Sequence, residues 1–399
     1  MISIILAAGK GKRMQPLTDT RLKGSLPIQN QAILIRLADM IETTGFMDKL
    51  VIVISPWQEN QMRDLFSQKP YANKIIYAIQ DPPKGTADAV AQAEEFMGDE
   101  KRCLVFNGDI LAHIEQVLPE LITHHTKLNA KCTMAVFPGK NERYGLLKVT
   151  SDGLVEDIKE KIKTEEMSEE IGYINAGIYL FERDVFDAIR ATPLSQRKEY
   201  EITDTISILG EKGKIGAFII DSWMSLENPL DLLISQEFFP PSKEQLNMQF
   251  HTGEEIGFKA AEEIFFEKDS VIEFSSITIT GPVLIGKGTL IEQGSKIGPR
   301  VFIGKDCEIG ANTTIKKSLI MDNCKIESNC VLSNIVSAEK VVIGKNSQLQ
   351  PLEDVSHIEE VKDFIIIGGE TIISTKVIIK KGMKIDAHSA ITKDAERKT

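Results

Sequence analysis

A chain of 399 residues with 42% hydrophobic and 26% charged side chains is long enough for two cores and too apolar for disorder. Its net charge of -11 sets most of the surface against polyanions, so nucleic acid is not an expected partner. No apolar run approaches the ~20 residues that span a bilayer, and the run from Ile2 to Leu6 is too short for a signal-peptide core; no membrane association and a cytoplasmic location are expected.

Ile2 to Leu6 reads as the opening strand. After it, β-branched runs alternate with helical patterns: a strand from Lys49 to Ile54, a helix from Trp57 to Phe66, a strand from Lys74 to Ile79, a helix from Thr86 to Met97 and a strand from Cys103 to Phe106. That alternation predicts an α/β domain with a mostly parallel, Rossmann-like sheet, whose ligands bind at the carboxyl ends of its strands. Val136, Tyr144 to Val149 and Val155 to Ile158 predict smaller antiparallel strands, an insertion forming one wall of a cleft. His113, His124 and His125 fall on a helical face. Cys103, Cys132, Cys307, Cys324 and Cys330 are odd in number and form no C-x-x-C pair, which predicts reduced thiols or small core residues rather than disulfides or zinc.

The pattern breaks at Pro240 and Pro241, and helical sequence follows from Ser242 to about Lys268. Beyond it Ile279, Ile285, Ile291, Ile297, Ile303, Ile309 and Ile315 stand six residues apart, and the period returns at Ile367, Ile373, Ile379, Ile385 and Ile391. Six-residue periodicity with glycine near the corners predicts a parallel β-helix of hexapeptide repeats, in which each aliphatic side chain stacks on its equivalent one coil away. Ile320, Ile326 and Leu332 keep weaker fragments of the period, and Pro351 to Asp363 breaks it, so a loop or irregular coil is expected there. The division expected is a catalytic domain over 1–240, a helical connector over 241–268 and a β-helix over 269–399.

The opening strand runs into Leu6-Ala7-Ala8-Gly9-Lys10-Gly11-Lys12-Arg13-Met14-Gln15-Pro16-Leu17-Thr18. Glycines at 9 and 11 permit turns that aim successive N–H groups at one anion. Around them Lys10, Lys12, Arg13, Arg21 and Lys23 stand against the carboxylate of Asp19, a basic patch in an acidic chain. Taken alone, Gly-x-Gly is compatible with an ordinary strand-to-loop turn. Met14 occupies the place of a third glycine, which excludes the dinucleotide fingerprint.

This segment resembles the signature of the sugar-1-phosphate nucleotidylyltransferases, L-A-A-G-x-G-x-R-[ML]-x-P-L-T followed by P-K-x-[LM]-[LV]-P-[IV]. The second half matches at Lys23, Leu26, Pro27 and Ile28 but has Leu22 and Gly24 where the family has proline and proline or a small apolar residue. The resemblance covers residues 1 to about 236, and the family commonly carries a left-handed β-helix. It implies that the main chain of Leu6, Ala7, Ala8, Gly9 and Gly11 holds base and phosphates, Arg13 the leaving pyrophosphate, and Lys23 the reacting α-phosphate. Gln80 corresponds to a base-reading residue, and Gly85-Thr86 to a turn opening a helix towards the nucleotide. Asp109 corresponds to the Mg²⁺ aspartate. Gly145, Glu160 and Asn175 correspond to the sugar wall, with Lys161 on the sugar phosphate. The family's closing W-x-D motif reads Trp223-Met224-Ser225 here, so Ser225 replaces a second metal carboxylate, and Asp221 or Glu227 is an alternative ligand.

The implied reaction is Mg²⁺-dependent nucleotidyl transfer from a nucleoside triphosphate, UTP or dTTP, to a hexose or hexosamine 1-phosphate. Two alternatives stay open: an inactive or weakened sugar-nucleotide-binding regulatory subunit, and a bifunctional enzyme with acetyltransferase activity in the β-helix. For the latter the β-helix offers only His357 and His388, neither in the usual acyltransferase setting. The β-helix is therefore expected to assemble a homo-oligomer, a trimer by resemblance.

Overall fold

The computed structural model describes residues 1–139, 146–159, 172–238, 250–252, 264–267, 271–272, 276–350 and 361–396. They fall into two compact units, one of Met1–Gly9 with Ile33–Ser225 and one of Lys10–Ala32 with Leu226–Thr399. Among the described residues no helix is long and apolar enough to cross a membrane.

The first unit is an α/β layer structure. Its elements are β1 (Ile2–Leu6), α1 (Ile33–Thr43), β2 (Lys49–Ile54), α2 (Glu59–Phe66), β3 (Ile75–Ile79), α3 (Thr86–Ala91) and β4 (Arg102–Asn107). They continue with β5 (Ile110–Leu111), α4 (Ile114–Leu128), β6 (Cys132–Pro138), β7 (Leu146–Val149), β8 (Val155–Lys159) and β9 (Tyr173–Glu182). The unit closes with α5 (Val185–Ala191), α6 (Ile202–Gly210), β10 (Ile215–Ile219) and β11 (Met224–Ser225).

The main sheet runs β8-β7-β9-β4-β1-β2-β3, with β6 branching from β9 and β10 pairing with β6. β1 pairs in parallel with both β2 and β4, so the chain builds outward from it in two directions and opens a crevice at its carboxyl end. Burial on both faces explains why β1 and β2 are near-continuous aliphatic runs rather than alternating ones. β7 and β8 pair antiparallel, as their sequence suggested, and β7 also pairs antiparallel with β9.

The helix expected from Thr86 to Met97 is shorter than that. It stops at Ala91, and Glu94–Phe96 is a single 3-10 turn. The cause is a change to i−3 bonding, Gln92 N–H to Ala89 O and Ala93 N–H to Val90 O, which tightens the chain and buries Ala93 and Met97.

In the second unit the hairpin Pro27–Ile28/Gln31–Ala32 and α7 (Pro229–Phe238) accompany a left-handed parallel β-helix of three sheets. The helix α7 begins where Asn228 Oδ1 accepts from Leu230 N–H at 2.9 Å and Asp231 Oδ2 accepts from Glu227 N–H at 2.9 Å, a cap built from both ends of its first turn. The hexad isoleucines form vertical stacks. Ile279 lies beside Ile297 and Ile297 beside Ile315, and all are buried.

The central coils keep this ladder: Ile303 pairs with Ile320, Ile320 with Ser337, and Ser337 with Ile367. The period weakens there for two reasons. Lys317 turns a corner alone in the left-handed region at φ 43, which shortens the coil by one residue, and Ser337 takes an aliphatic place. The described parts of the presumed helical connector, Phe250–Thr252 and Ile264–Glu267, are strands rather than helix. Ile264–Glu267 pairs in parallel with Val283–Ile285 and is the first rung of one β-helix sheet. The rest of 239–263 lies outside the described residues. All five cysteines are buried free thiols.

Candidate functional site

Three strand ends stand side by side at one edge of the first unit's sheet. At the end of β1, Ala7 N–H still donates to Val53 O at 2.9 Å, and then the chain leaves the ladder. Gln58 Nε2 donates to Ala7 O at 3.0 Å, and Ser55 Oγ to Ala8 O at 3.0 Å. On the other flank Gly108 N–H donates to Leu6 O at 2.9 Å. A Cβ at Gly108 would stand 2.7 Å from that oxygen, so only glycine permits the approach.

Gly9 is different, because a Cβ there meets nothing within 4 Å and its φ lies outside the left-handed region. Gly9→Ala is therefore expected to leave the melting temperature within about 1 °C of wild type, while nucleotide affinity falls at least ~10-fold as the methyl enters the ligand's space. Calorimetric titration beside a thermal melt checks both halves.

Asp109 follows Gly108 in the turn between β4 and β5 and is half-buried. β5 pairs with β11, Ser225 opposite Ile110, so the serine lies one residue along the ladder from Asp109. Trp223 Nε1 donates to Ala176 O at 2.8 Å, which ties the closing motif to a bulge in β9. In that bulge Asn175 Oδ1 accepts from Gly177 N–H at 3.1 Å and from the Tyr179 hydroxyl at 3.0 Å, leaving its amide N–H groups as the donors a ligand could use. Asp221 is exposed just upstream. Asp109, Ser225 and Asn175 thus come together in one unit.

Gln80 is buried, and its Nε2 donates to Gly85 O at 3.0 Å and to Asp88 Oδ2 at 2.8 Å. Its two amide protons brace the turn before α3, and its carbonyl oxygen remains for a base. Thr86 Oγ1 accepts from Ile202 N–H at 3.0 Å, so this hydroxyl ties α3 to α6. His125 lies on the buried face of α4, 2.9 Å from Thr133 Oγ1 and 3.3 Å from Glu182; burial lowers its pKa, as befits a neutral structural brace.

In the second unit Gly11, at φ 65, opens a 3-10 turn over Lys12–Met14, and Thr18 Oγ1 donates back to Gly11 O at 2.9 Å. Gly11 packs against Lys23, whose Cβ would stand 3.1 Å from a Cβ at position 11. Leu22 has φ -67, the value proline would impose, so losing the family's proline leaves the backbone course unchanged. Arg13 is ion-paired with Glu227. Arg21 Nη1 lies 3.1 Å from Met321 Sδ and 3.5 Å from Glu339, and Asn30 Nδ2 donates to Ile303 O at 3.3 Å. Arg13 and Arg21 therefore already face carboxylates, and Glu227 engages a guanidinium. Gly145, Glu160 and Lys161 lie outside the described residues.

Nothing in the motifs marks Ser55 or Gln58, because their contacts are to main-chain atoms. Among the described residues no three His, Cys, Asp or Glu side chains form a ready metal cage. One carboxylate beside a serine suits an ion that takes most of its ligands from water and phosphate oxygens, the habit of Mg²⁺.

Residues 2–234 match the model of the nucleotidyl transferase family. The chain belongs to that family. Residues 279–398 match a second model, described as the GMPPB C-terminal domain. The nucleotidyl transferase is 27% identical to a Bifunctional protein GlmU of Methanococcus maripaludis over 98% of this chain and 93% of the relative. It is also 27% identical to the Bifunctional protein GlmU of Clostridioides difficile over 91% of this chain and 74% of the relative. A solved structure described as a putative glucose-1-phosphate thymidylyltransferase from Bacillus anthracis, in complex with a sucrose, aligns with TM-score 0.52 at 23% identity. It covers 59% of this chain and 94% of its own, and the likeness is one of fold.

Proposed function

We propose that this nucleotidyl transferase couples a nucleoside triphosphate, UTP or dTTP, to a hexose or hexosamine 1-phosphate. A phosphate oxygen of the sugar attacks the α-phosphorus, the bond to the β-phosphate oxygen breaks, and pyrophosphate leaves with the electron pair. The attacking oxygen is already ionised, so no general base is needed. The observation that carries the reading is the pairing of two features on adjacent strand ends: the open main chain of Ala8 and Gly9 after β1, and Asp109 one residue beyond the Gly108 to Leu6 hydrogen bond. Acceptor oxygens of the nucleotide and a cation shared with them would be served from one sheet edge.

Asp109 would hold the ion with Ser225 beside it, and a bound Mg²⁺ would supply charge neutralisation to the phosphates. Arg13 and Lys23 are assigned pyrophosphate and α-phosphate charge, Asn175 a sugar hydroxyl through its amide, and Gln80 the base through its carbonyl. The relatives' description as bifunctional also fits the alternative of an acetyltransferase activity in the β-helix. The β-helix is read as the surface on which copies assemble, most simply as a trimer, and the enzyme is placed in the cytoplasm.

The test is a panel of triphosphates against sugar 1-phosphates with pyrophosphate release as readout. Release dependent on both substrates and on Mg²⁺ is expected. Nucleotide binding without release for any pair would favour the regulatory reading.

A second measurement addresses Ser225, which is 7% exposed. Ser225→Asp is expected to cost about 1–3 kcal/mol in the metal-free protein, because a carboxylate is placed in a buried position without a partner. Mg²⁺ should restore the melting temperature and bind more tightly than to wild type. Equal melting of the variant with and without Mg²⁺ would place the second ligand elsewhere, at Asp221 or Glu227.

A further inference from the structure

Ser55 and Gln58 are each 1% exposed and belong to the turn that follows β2, neither in the signature loop nor in any sugar-wall motif. They form a closed pair, since Gln58 N–H donates to Ser55 O at 3.0 Å and Gln58 Oε1 accepts from Ser55 N–H at 2.7 Å. A side chain held at both ends in this way has lost its rotamer freedom before any ligand arrives. What the pair then does with its remaining donors is specific. Gln58 Nε2 takes Ala7 O and Ser55 Oγ takes Ala8 O, two successive carbonyls of the chain leaving β1.

In a planar trans peptide the carbonyl and the following N–H point in opposite directions. Neither the Ala7–Ala8 nor the Ala8–Gly9 bond is cis. Drawing the carbonyls of Ala7 and Ala8 towards β2 therefore turns the N–H groups of Ala8 and Gly9 away from it. In a continuing strand successive N–H groups would alternate between the two neighbours; here two in a row face the same way. Among the described residues neither finds a main-chain or side-chain acceptor, and the space beside Gly9 is open. Two adjacent N–H groups converging on open space form a small nest for an acceptor oxygen.

We infer that Ser55 and Gln58 are positioning residues for nucleotide binding. They never touch the ligand but fix the two peptide planes whose N–H groups meet an acceptor oxygen of the nucleotide. The inference rests on the reading under Proposed function. It extends that reading to residues outside the motif and gives the loop a scaffold that does not depend on its own glycines. Because the nest would hold the nucleotide equally in the ground and transition states, loosening it should raise KM for the triphosphate and leave kcat nearly unchanged.

The experiment uses the full chain with Gln58→Met, which keeps length and packing but removes both hydrogen-bonding ends, with Ser55→Ala, and with Ser55→Thr, which keeps the hydroxyl. Triphosphate affinity is measured by calorimetry, with KM, kcat and a thermal melt alongside. Expected are a rise of roughly tenfold in dissociation constant and KM for Gln58→Met, a smaller rise for Ser55→Ala, restoration by Ser55→Thr, and kcat within about twofold throughout. A lower melting temperature with unchanged affinity in the folded protein would make the pair structural only and overturn the inference. A fall in kcat at constant KM would overturn it as well. If Gln58→Met fails to fold, Ser55→Ala against Ser55→Thr still decides. Wild-type protein that binds none of the triphosphates would sink the functional reading itself, an outcome separate from equal binding by wild type and variants.

Discussion

Asp109→Ala should lower nucleotidyl transfer by about 10³-fold or more, the scale on which a single preorganised charge acts in a water-excluded site. The folded state should hardly notice. Asp109 is half-buried in the two-residue turn between β4 and β5 and adds nothing to the apolar packing beneath it, where Phe106 and Ile110 are buried. The melting temperature is therefore expected to stay within about 2 °C of wild type. Asp109→Asn separates charge from shape, because it keeps the volume and one acceptor oxygen but loses the anion. If charge is what matters, Asn and Ala should be equally poor catalysts, and both should lose Mg²⁺ affinity in a titration monitored without substrate. Turnover in Asp109→Asn within tenfold of wild type would reassign the residue to hydrogen bonding.

The second large effect is on the fold. Gly85 sits at φ 119, and a Cβ there would stand 2.4 Å from Tyr200 O and 2.6 Å from Tyr200 N. Tyr200 cannot retreat cheaply, since its N–H donates to Lys84 O at 2.7 Å and its carbonyl accepts from Ala87 N–H at 2.9 Å. Both bonds straddle the glycine and fix the spacing. Gly85→Ala must therefore break at least one of them as well as strain φ, and a loss of about 3–5 kcal/mol is expected, equivalent to a fall of roughly 10 °C in the first unit's transition. Gly9→Ala serves as the control, the same chemical change at a position with room for it. Equal melting of the two variants would mean that the Gly85 turn is looser than its hydrogen bonds imply.

Much of this was legible in the sequence, and where it was not, the causes are specific. The parallel sheet showed in the alternation of aliphatic strands with helices, and the β-helix in isoleucines that recur every six residues. The central coils hid themselves because the corner at Lys317 uses one residue fewer and Ser337 replaces an aliphatic rung, so the stack continues in space while the period slips along the chain. Ile264 to Glu267 looked helical beside its charged neighbours, yet its neighbour across the sheet, Val283–Ile285, decides its conformation.

The turns at Gly11 and Gly85, proposed to serve the nucleotide, were legible because their positive φ calls for glycine. Side-chain partners were not. That Gln80 spends its amide protons on Gly85 and Asp88, that Thr86 receives Ile202 N–H, and that Arg13 meets Glu227 are facts of tertiary contact, the last across 214 residues. Ser55 and Gln58 are the extreme case, because a residue that grips main-chain carbonyls leaves no pairing pattern in sequence.

The contacts of Arg21 with Met321 and of Asn30 with Ile303 span 300 and 273 residues of chain. They impose an order on biosynthesis. Translation proceeds at about 5–20 residues per second, so Lys10–Ala32 leaves the ribosome roughly 15 to 60 seconds before the coils it rests on exist. The strands of the first unit have all their partners within the first 225 residues and can condense in the meantime, while the segment carrying Arg13 and Lys23 waits for the coil that carries Glu339. Such non-local closure is the slow kind. A nascent chain thus acquires the sheet of its first unit early and the ordered course of Lys10–Ala32 late.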